Sequence, residues 1–158
     1  MTSPAATVTI DLDNLWAYLK TQGVSGWQGY PGYLSLVVPR ILDRLRDHGI
    51  NATFFTVGRD ATRDENSDAL RSIADAGHEI ACHSFDHEPC LHLYSEAELK
   101  AEFDQAEEAI LQVTGRQPKG FRGPGFSCSD SVRACLHARG YVYDSSSFPT
   151  FLGPLARL

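Results

Sequence analysis

Short apolar runs alternate along the chain with segments in which apolar residues recur at helical spacing. Five runs are brief and bounded by turn residues, and they predict strands at 8–13, 52–57, 79–83, 119–122 and 141–144. Helical spacing predicts helices at 36–46, 68–76 and 95–113, with a further helix around Val132, Cys135 and Leu136. Strands that alternate with helices across short loops predict an α/β fold of parallel β/α units, whose functional groups gather where the strands end.

Local signals mark the ends of the predicted helices. Ser95 with Glu98 three residues later forms a capping-box pattern, and a glycine follows the last apolar position of each predicted helix. Before the first of these helices, residues 23–32 contain four glycines and a proline around Trp27 and Tyr30. This composition predicts a loop with an aromatic wall, long enough to shape a pocket.

Composition narrows the class of protein. The 158 residues, of which 42% are hydrophobic and 22% charged, suffice for one globular domain over 1–158. The formal net charge of −6 argues against nucleic acid as a partner, because polyanion binding needs clustered Lys and Arg. No apolar run approaches the roughly 20 residues of a membrane-spanning helix. The first six residues lack a basic stretch and an apolar core, so a cytoplasmic location is expected if the start is genuine, with a trimmed secretion signal left open.

Two carboxylates stand two residues apart at the end of the first predicted strand. Side chains alternate faces along a strand, so Asp11 and Asp13 are expected on the same side if the strand continues to Asp13. Like charges this close favour a bound cation, or a proton on one of the two groups. The same pattern also fits a solvated strand end at which Asp13 and Asn14 open a turn.

Two imidazoles stand four residues apart in the segment 83–87, His-Ser-Phe-Asp-His. They can coordinate one ion if the intervening residues make a helical turn, although a surface pair fits the spacing too. Location favours the ion, because His83 ends a predicted strand and in a parallel fold that end lies at the same rim as the end of the first strand. Three other histidines are expected at the surface, since they flank glycine turns or lie inside a helix pattern: His48, His78 and His137.

Asp13, His83 and His87 together form a candidate site for one divalent ion. Two imidazoles and one carboxylate leave coordination positions open for water and substrate, as in catalytic rather than structural sites. A divalent ion in such a site lowers the pKa of water to about 7 and polarises a carbonyl, which leaves Asp11 free to take the proton of the water. These ligands suit Zn²⁺ first, with Co²⁺, Ni²⁺ or Mn²⁺ as alternatives.

Arg122 ends the fourth predicted strand and is followed by Gly-Pro-Gly at 123–125, a stiff and compact turn. A guanidinium at this place can pair with a catalytic carboxylate and orient it. An arginine on an ordinary loop fits this short segment as well.

Five short motifs follow one another along the chain: Thr-Ile-Asp-Leu-Asp at 9–13, Thr-Phe-Phe at 53–55, His-Ser-Phe-Asp-His at 83–87, Phe-Arg-Gly-Pro at 121–124 and Tyr-Asp-Ser-Ser at 143–146. In this order they resemble the polysaccharide deacetylase family, also called the NodB-homology or carbohydrate esterase family 4 domain. The resemblance implies a distorted (β/α) barrel and metal-dependent removal of acetyl or formyl groups from amino sugars or related amides. By position it implies that Asp11 is the catalytic base, that Arg122 supports Asp11, and that the metal ligands are Asp13, His83 and His87.

The chain departs from the family pattern at three places. Leu12 separates two Asp residues that are usually adjacent, a variant that resembles bacterial members acting on peptidoglycan, lipid-linked sugars or small amides. The Asp and Trp usually found after Asp144 are absent, and Phe148 is the nearest aromatic. The last strands of the family, with a Leu-x-His element whose His is the general acid, are expected beyond Leu158.

The barrel is therefore expected to be incomplete at its C-terminus. An open edge would end in apolar residues that self-association or a missing C-terminal segment would cover, namely Phe148, Phe151, Leu152 and Leu155. Two other functions stay open beside the hydrolase. One is a catalytically impaired metal-binding or carbohydrate-binding module of the same fold, and the other is an unrelated β/α protein whose His pair lies on the surface.

Overall fold

One parallel sheet organises the protein. The structure is a computed structural model that describes residues 6–147. The sheet contains β1 (Val8–Leu12), β2 (Ala52–Thr56), β3 (Glu79–Cys82), β4 (Gly120–Phe121) and β5 (Tyr143–Asp144). Every pairing is parallel, and the strands stand side by side in chain order, β1-β2-β3-β4-β5. The predicted succession of parallel β/α units is confirmed.

Helices connect the strands. They are α1 (Leu15–Thr21), α2 (Leu34–Asp47), α3 (Gly58–Ala61), α4 (Asp64–Asp75), α5 (Glu96–Thr114) and α6 (Asp130–Ala138). Short 3₁₀ turns lie at Trp27–Gly29, Leu91–Leu93 and Pro124–Phe126. The helices α1 and α3 were not predicted, because seven and four residues are too few to show a helical period.

Buried apolar side chains fix the helices against the sheet. Leu34 of α2, Leu70 of α4 and Phe103 of α5 pack in one cluster with Phe54 of β2 and Phe121 of β4, and all five are fully buried. Burial of a side chain of this size contributes about 1.5–3 kcal/mol. This packing holds the ends of the strands in place relative to one another.

The helix α5 follows its sequence signals closely. The Ser95 hydroxyl accepts the N–H of Glu98, and the Glu98 carboxylate accepts the N–H of Ser95, which completes the predicted capping box. At the other end Gly115 takes a left-handed conformation with φ of 69°, as a helix C-terminus of this kind requires. The predicted extent of this helix is confirmed.

Other details differ from the sequence-based expectations. The strand β1 ends at Leu12, so Asp13 lies just beyond it. The predicted loop 23–32 contains a 3₁₀ turn whose Trp27 stacks on Trp16, with ring centroids 5.4 Å apart. The expected apolar edge at Phe148, Phe151, Leu152 and Leu155 lies outside the described residues. Within residues 6–147, no helix has the length and apolar character needed to cross a membrane.

Candidate metal centre

The carboxyl ends of three strands bring distant side chains together. Asp13 follows the end of β1, His83 directly follows β3 and Arg122 directly follows β4. Because parallel strands end at the same edge of a sheet, the side chain of His83 meets that of Asp13, and the side chain of Arg122 meets that of Asp11, 111 residues away in the sequence. They form two adjoining groups, one around Asp13 and one around Asp11.

Asp13, His83 and His87 form a buried cluster. The Nε2 atom of His83 lies 3.6 Å from Oδ1 of Asp13, and Nε2 of His87 lies 3.3 Å from Oδ2. One ligand atom from each residue lies within 4.8 Å of the other two. The three side chains are at most 9% exposed. The structure therefore brings together the three residues that the sequence analysis grouped as metal ligands.

The turn between the two histidines is not helical, although the sequence analysis made their joint coordination of one ion depend on a helical turn. Ser84 and His87 both adopt left-handed backbone, with φ of 60° and 50°. This conformation is unfavourable for residues with a Cβ. It nevertheless places the two imidazole rings face to edge with centroids 5.2 Å apart. The two rings therefore converge without a helical turn between them.

Hydrogen bonding and burial set the protonation of this cluster. The Nδ1 atom of His83 lies 2.6 Å from the carbonyl oxygen of Arg122. A carbonyl can only accept, so Nδ1 carries the proton and the lone pair of Nε2 points to Asp13. Burial lowers the pKa of His83. Burial alone would raise the pKa of Asp13, but its contacts with His87 and His83 outweigh burial and hold that pKa below its usual range. A neutral imidazole therefore faces an ionised carboxylate.

The donor set fits a divalent ion. Oδ1 of Asp13 is buried and has no hydrogen-bond partner among residues 6–147. A buried acceptor of this kind needs a partner. Metal-to-ligand bonds of about 2.0–2.2 Å at tetrahedral angles put ligand atoms roughly 3.4 Å apart, close to the 3.6 Å between Nε2 of His83 and Oδ1 of Asp13. One carboxylate oxygen with two imidazole nitrogens is a set that suits Zn²⁺ and leaves room for further ligands.

Asp11 belongs to a separate ion pair with Arg122. Nη1 of Arg122 donates to Oδ1 of Asp11 at 2.6 Å, and Nη2 donates to the hydroxyls of Thr9 at 3.0 Å and Ser145 at 2.9 Å. The guanidinium also lies over the ring of Phe55, 4.1 Å from its centroid. Contacts from three strands or their ends hold the guanidinium, and the guanidinium in turn holds the carboxylate of Asp11.

Two tyrosines that the sequence analysis did not single out contact Asp13. The hydroxyl of Tyr18 donates to Oδ2 of Asp13 at 3.1 Å, and the hydroxyl of Tyr33 donates to the Asp13 carbonyl. Burial, followed by the negative charge of Asp13, raises the pKa of Tyr18 to about 12, so its hydroxyl stays a donor. Tyr18 lies on α1, and no spacing in the sequence links it to Asp13.

A buried carboxylate next to the site orients the residue after Asp13. Oδ1 of Asp60 accepts hydrogen bonds from Nδ2 of Asn14 at 2.9 Å and from the indole N–H of Trp16 at 2.7 Å. The Oδ1 atom of Asn14 accepts the backbone N–H of Tyr33 at 2.9 Å. Burial raises the pKa of Asp60, against the effect of these hydrogen bonds. Asp60 lies on the unpredicted helix α3, and the sequence alone carried no signal for its role.

The family model of the polysaccharide deacetylases, described as "Polysaccharide deacetylase", matches residues 26–143, well over half of the chain. The chain belongs to the polysaccharide deacetylase family. The matched span includes His83, His87 and Arg122 and begins after Asp11 and Asp13. The family assignment therefore does not depend on the two carboxylates at β1.

Known members of the polysaccharide deacetylase family match in sequence and in fold. A chitin deacetylase from Colletotrichum lindemuthianum is 32% identical over 106 residues, which are 65% of this chain and 42% of that protein. A polysaccharide deacetylase candidate from Mycobacterium smegmatis, of known structure, is 32% identical with a TM-score of 0.75, over 87% of this chain and 49% of that one. The chain thus spans less than half the length of both.

The fold of the polysaccharide deacetylase family also occurs without activity. A family pseudoenzyme from Bacillus anthracis has a TM-score of 0.68 at 24% identity, over 87% of this chain and 41% of that one. The fold class predicted from the sequence, a distorted (β/α) barrel of the deacetylase type, is confirmed by these structures. Whether a member of this fold turns over substrate depends on the residues at its site.

Proposed function

We propose that this chain is the metal-binding part of a hydrolase that removes an acetyl or formyl group from an amino sugar or a related amide. The observation that carries the proposal is the buried cluster of Asp13, His83 and His87 beside the Arg122-bound carboxylate of Asp11. In a fold of the polysaccharide deacetylase family, this is the pairing of a metal site with a proton acceptor that amide hydrolysis by activated water needs.

Asp13, His83 and His87 would hold one divalent ion, with Zn²⁺ the first candidate and Co²⁺, Ni²⁺ or Mn²⁺ as alternatives. Such an ion supplies a water of lowered pKa and polarises the carbonyl of the substrate. The cluster suits this role because the neutral imidazole of His83 presents Nε2 and the ionised Asp13 presents an unpartnered oxygen. Tyr18 holds the second oxygen of Asp13 and so favours binding through one oxygen only.

Asp11 would accept the proton of the attacking water. Its side chain is 33% exposed, so water reaches it, whereas Asp13 is buried. The guanidinium of Arg122 fixes the direction of the carboxylate. A general base needs this combination of access, orientation and negative charge.

The substrate class follows from the relatives and from the rim of the site. The chitin deacetylase relative acts, by its name, on an N-acetylated amino-sugar polymer. Beside the cluster, Tyr18 and Tyr33 are 50% and 36% exposed, and aromatic side chains at such a rim can pack against a sugar or a small amide. We therefore propose a carbohydrate with an N-acyl group as the substrate, with a small formamide as the alternative.

The test is acyl release by the zinc-loaded chain. Chitooligosaccharides, peptidoglycan fragments and small formamides are offered separately, and acetate or formate is quantified. We expect release from one of them. We expect Asp11→Asn to keep its zinc and to lose about 10²–10⁴-fold in kcat, because a general base contributes that much.

Two other results would identify other functions. Retained zinc and sugar binding with no acyl release would indicate a catalytically impaired binding module. Absence of zinc binding, together with insensitivity of folding to chelators, would reject the metal site and with it the hydrolase.

A further inference from the structure

Glu102 is a buried acidic residue of α5 that has no part in the site described so far. It is 6% exposed and lies among the inward-facing residues of this helix, next to Phe103. A buried carboxylate is unfavourable unless strong donors compensate it, and burial raises the pKa of Glu102. The groups that donate to it therefore indicate its role.

The donors come from the turn between the two candidate metal ligands. The backbone N–H groups of Phe85 and Asp86 both donate to Oε1 of Glu102, each at 2.8 Å. Charge-assisted hydrogen bonds to two consecutive amides fix the orientation of two successive peptide planes. These planes lie within the segment that joins His83 to His87.

The carbonyls of the same turn are held by α3. The N–H of Gly58 donates to the carbonyl of Ser84, and the N–H of Arg59 donates to the carbonyl of Phe85, both at 2.9 Å. A Cβ at Gly58 would come within 2.7 Å of the Phe85 ring and within 2.8 Å of the Cα of Ala106 on α5. The turn is thus packed between two helices, one of which binds its carbonyls while Glu102 binds its amides.

The turn needs such contacts because of its backbone. Ser84 and His87 are both left-handed, a conformation that residues with a Cβ adopt rarely unless the surrounding structure holds them. Loss of the acceptor at Glu102 would leave two partly buried amides without this partner and free the turn to relax. The two imidazoles at its ends would then no longer be directed at the same point.

We propose that Glu102 is a positioning residue of the metal centre, which holds the 84–86 turn so that His83 and His87 reach the same ion. It acts through the backbone of the turn and touches neither the ion nor the substrate. This inference rests on the metal site of the proposed function, but not on the reaction carried out there.

Two variants of Glu102 and one control separate this role from general packing. Glu102→Ala removes the acceptor, and Glu102→Gln keeps an acceptor oxygen of the same shape without the charge. The control is Glu107→Ala on the same helix, because Glu107 is also largely buried and accepts two hydrogen bonds, both from Arg139, at 2.8 and 2.9 Å. Glu107 does not contact the turn in the hydrogen bonds that the structure shows for it.

Three readouts are taken on the full chain: Zn²⁺ affinity by competition with a chromophoric chelator, the visible spectrum of the Co²⁺ form, and hydrogen exchange at the amides of Phe85 and Asp86 without metal. We expect Glu102→Ala to bind Zn²⁺ about 10–100-fold more weakly, as is typical of outer-shell changes, with an altered Co²⁺ spectrum and faster exchange at both amides. We expect Glu102→Gln to recover most of the affinity and Glu107→Ala to match the wild type.

Wild-type affinity and spectrum in Glu102→Ala would overturn the inference, as would equal losses in Glu102→Ala and Glu107→Ala. If Glu102→Ala does not fold, exchange in the wild type decides: protected amides at Phe85 and Asp86 support the role, and freely exchanging ones overturn it. Zinc binding without hydrolysis in the wild type rejects the proposed reaction and leaves the positioning role intact. Failure of the wild type to bind any ion overturns both.

Discussion

The strand β3 has a buried histidine at each end, and the two histidines differ only in what surrounds them. His83 follows the strand and faces Asp13. His78 precedes the strand, is 4% exposed, and accepts the backbone N–H of Ala52 through Nδ1 at 3.3 Å beside the ring of Phe54. Burial lowers the pKa of both imidazoles. Burial and a lowered pKa are thus common to both histidines, and of the two only His83 faces a carboxylate with which it could share an ion.

An arginine on each side of β4 in the sequence likewise contacts one of these histidines. Nη1 of Arg116 donates to the backbone carbonyl of His78 at 3.4 Å, before the strand begins. Arg122 follows the strand. Its backbone carbonyl accepts a hydrogen bond from Nδ1–H of His83, and its guanidinium donates to Asp11. The two ends use the same residue types, but only the carboxyl end adds two aspartates.

The largest expected contrast is between His83→Ala and His78→Ala. We expect His83→Ala to lose its bound zinc and to lose about 10³-fold or more in kcat/KM, since a bound ion contributes several kcal/mol to the reaction. We expect His78→Ala to keep its zinc and to lose about 1–3 kcal/mol of unfolding free energy, because the buried N–H of Ala52 loses its acceptor. Metal analysis, acyl-release assays and urea unfolding measure the three quantities.

The reverse result would break the comparison. If His78→Ala lost its zinc while His83→Ala kept it, the ion would lie elsewhere, and Asp13, His83 and His87 would not be its ligands. Equal zinc loss in both variants, with equal loss of stability, would indicate that metal content reports only on folding.

Much of the fold was predictable from the sequence because its signals are local. The apolar runs at β2 and β3 and the capping box of α5 each span only a few residues, and alternation with helices then dictates a parallel sheet. The short helices α1 and α3 carry no such period. The expectation of a surface position for His78 was wrong, because its burial comes from packing against β2 rather than from its flanking glycine.

The residues of the candidate site also fall into two groups, those that the sequence could predict and those that it could not. Asp13, His83 and His87 could be grouped from the sequence because they follow strands that end at one rim. Tyr18, Asp60 and Glu102 could not, because each reaches the site from a helix through contacts that no sequence spacing encodes. The left-handed turn between the histidines was missed for the same reason, since contacts from α3 and α5 hold it.

A smaller contrast is expected between the two arginines. Arg122→Lys replaces a planar fork that reaches Asp11, Thr9 and Ser145 by a point charge that cannot make all three contacts. We expect kcat to fall about 10–100-fold with zinc content unchanged, because the backbone carbonyl that binds His83 stays in place. Arg116→Lys is the control, and we expect wild-type kcat for it. Zinc loss in Arg122→Lys would instead mean that its side chain supports the ion itself.

The smallest expected effect concerns pH and the stability of the metal-free protein. Burial lowers the pKa of His78 below its ordinary 6.5, so as pH falls below 6.5 the unfolded chain binds a proton that the folded chain does not. The neutral imidazole therefore makes its full contribution to stability above pH 6.5. The free energy of unfolding falls as pH decreases through and below that value, by at most about 1.4 kcal/mol per pH unit.

His78→Asn keeps an acceptor near the place of Nδ1 but cannot titrate, so its unfolding free energy should fall less between pH 7.5 and 5.5. Urea unfolding with chelator present measures both curves. Parallel curves would show that the folded chain protonates His78 as readily as the unfolded one. A lowered histidine pKa would then no longer be common to the two ends of β3.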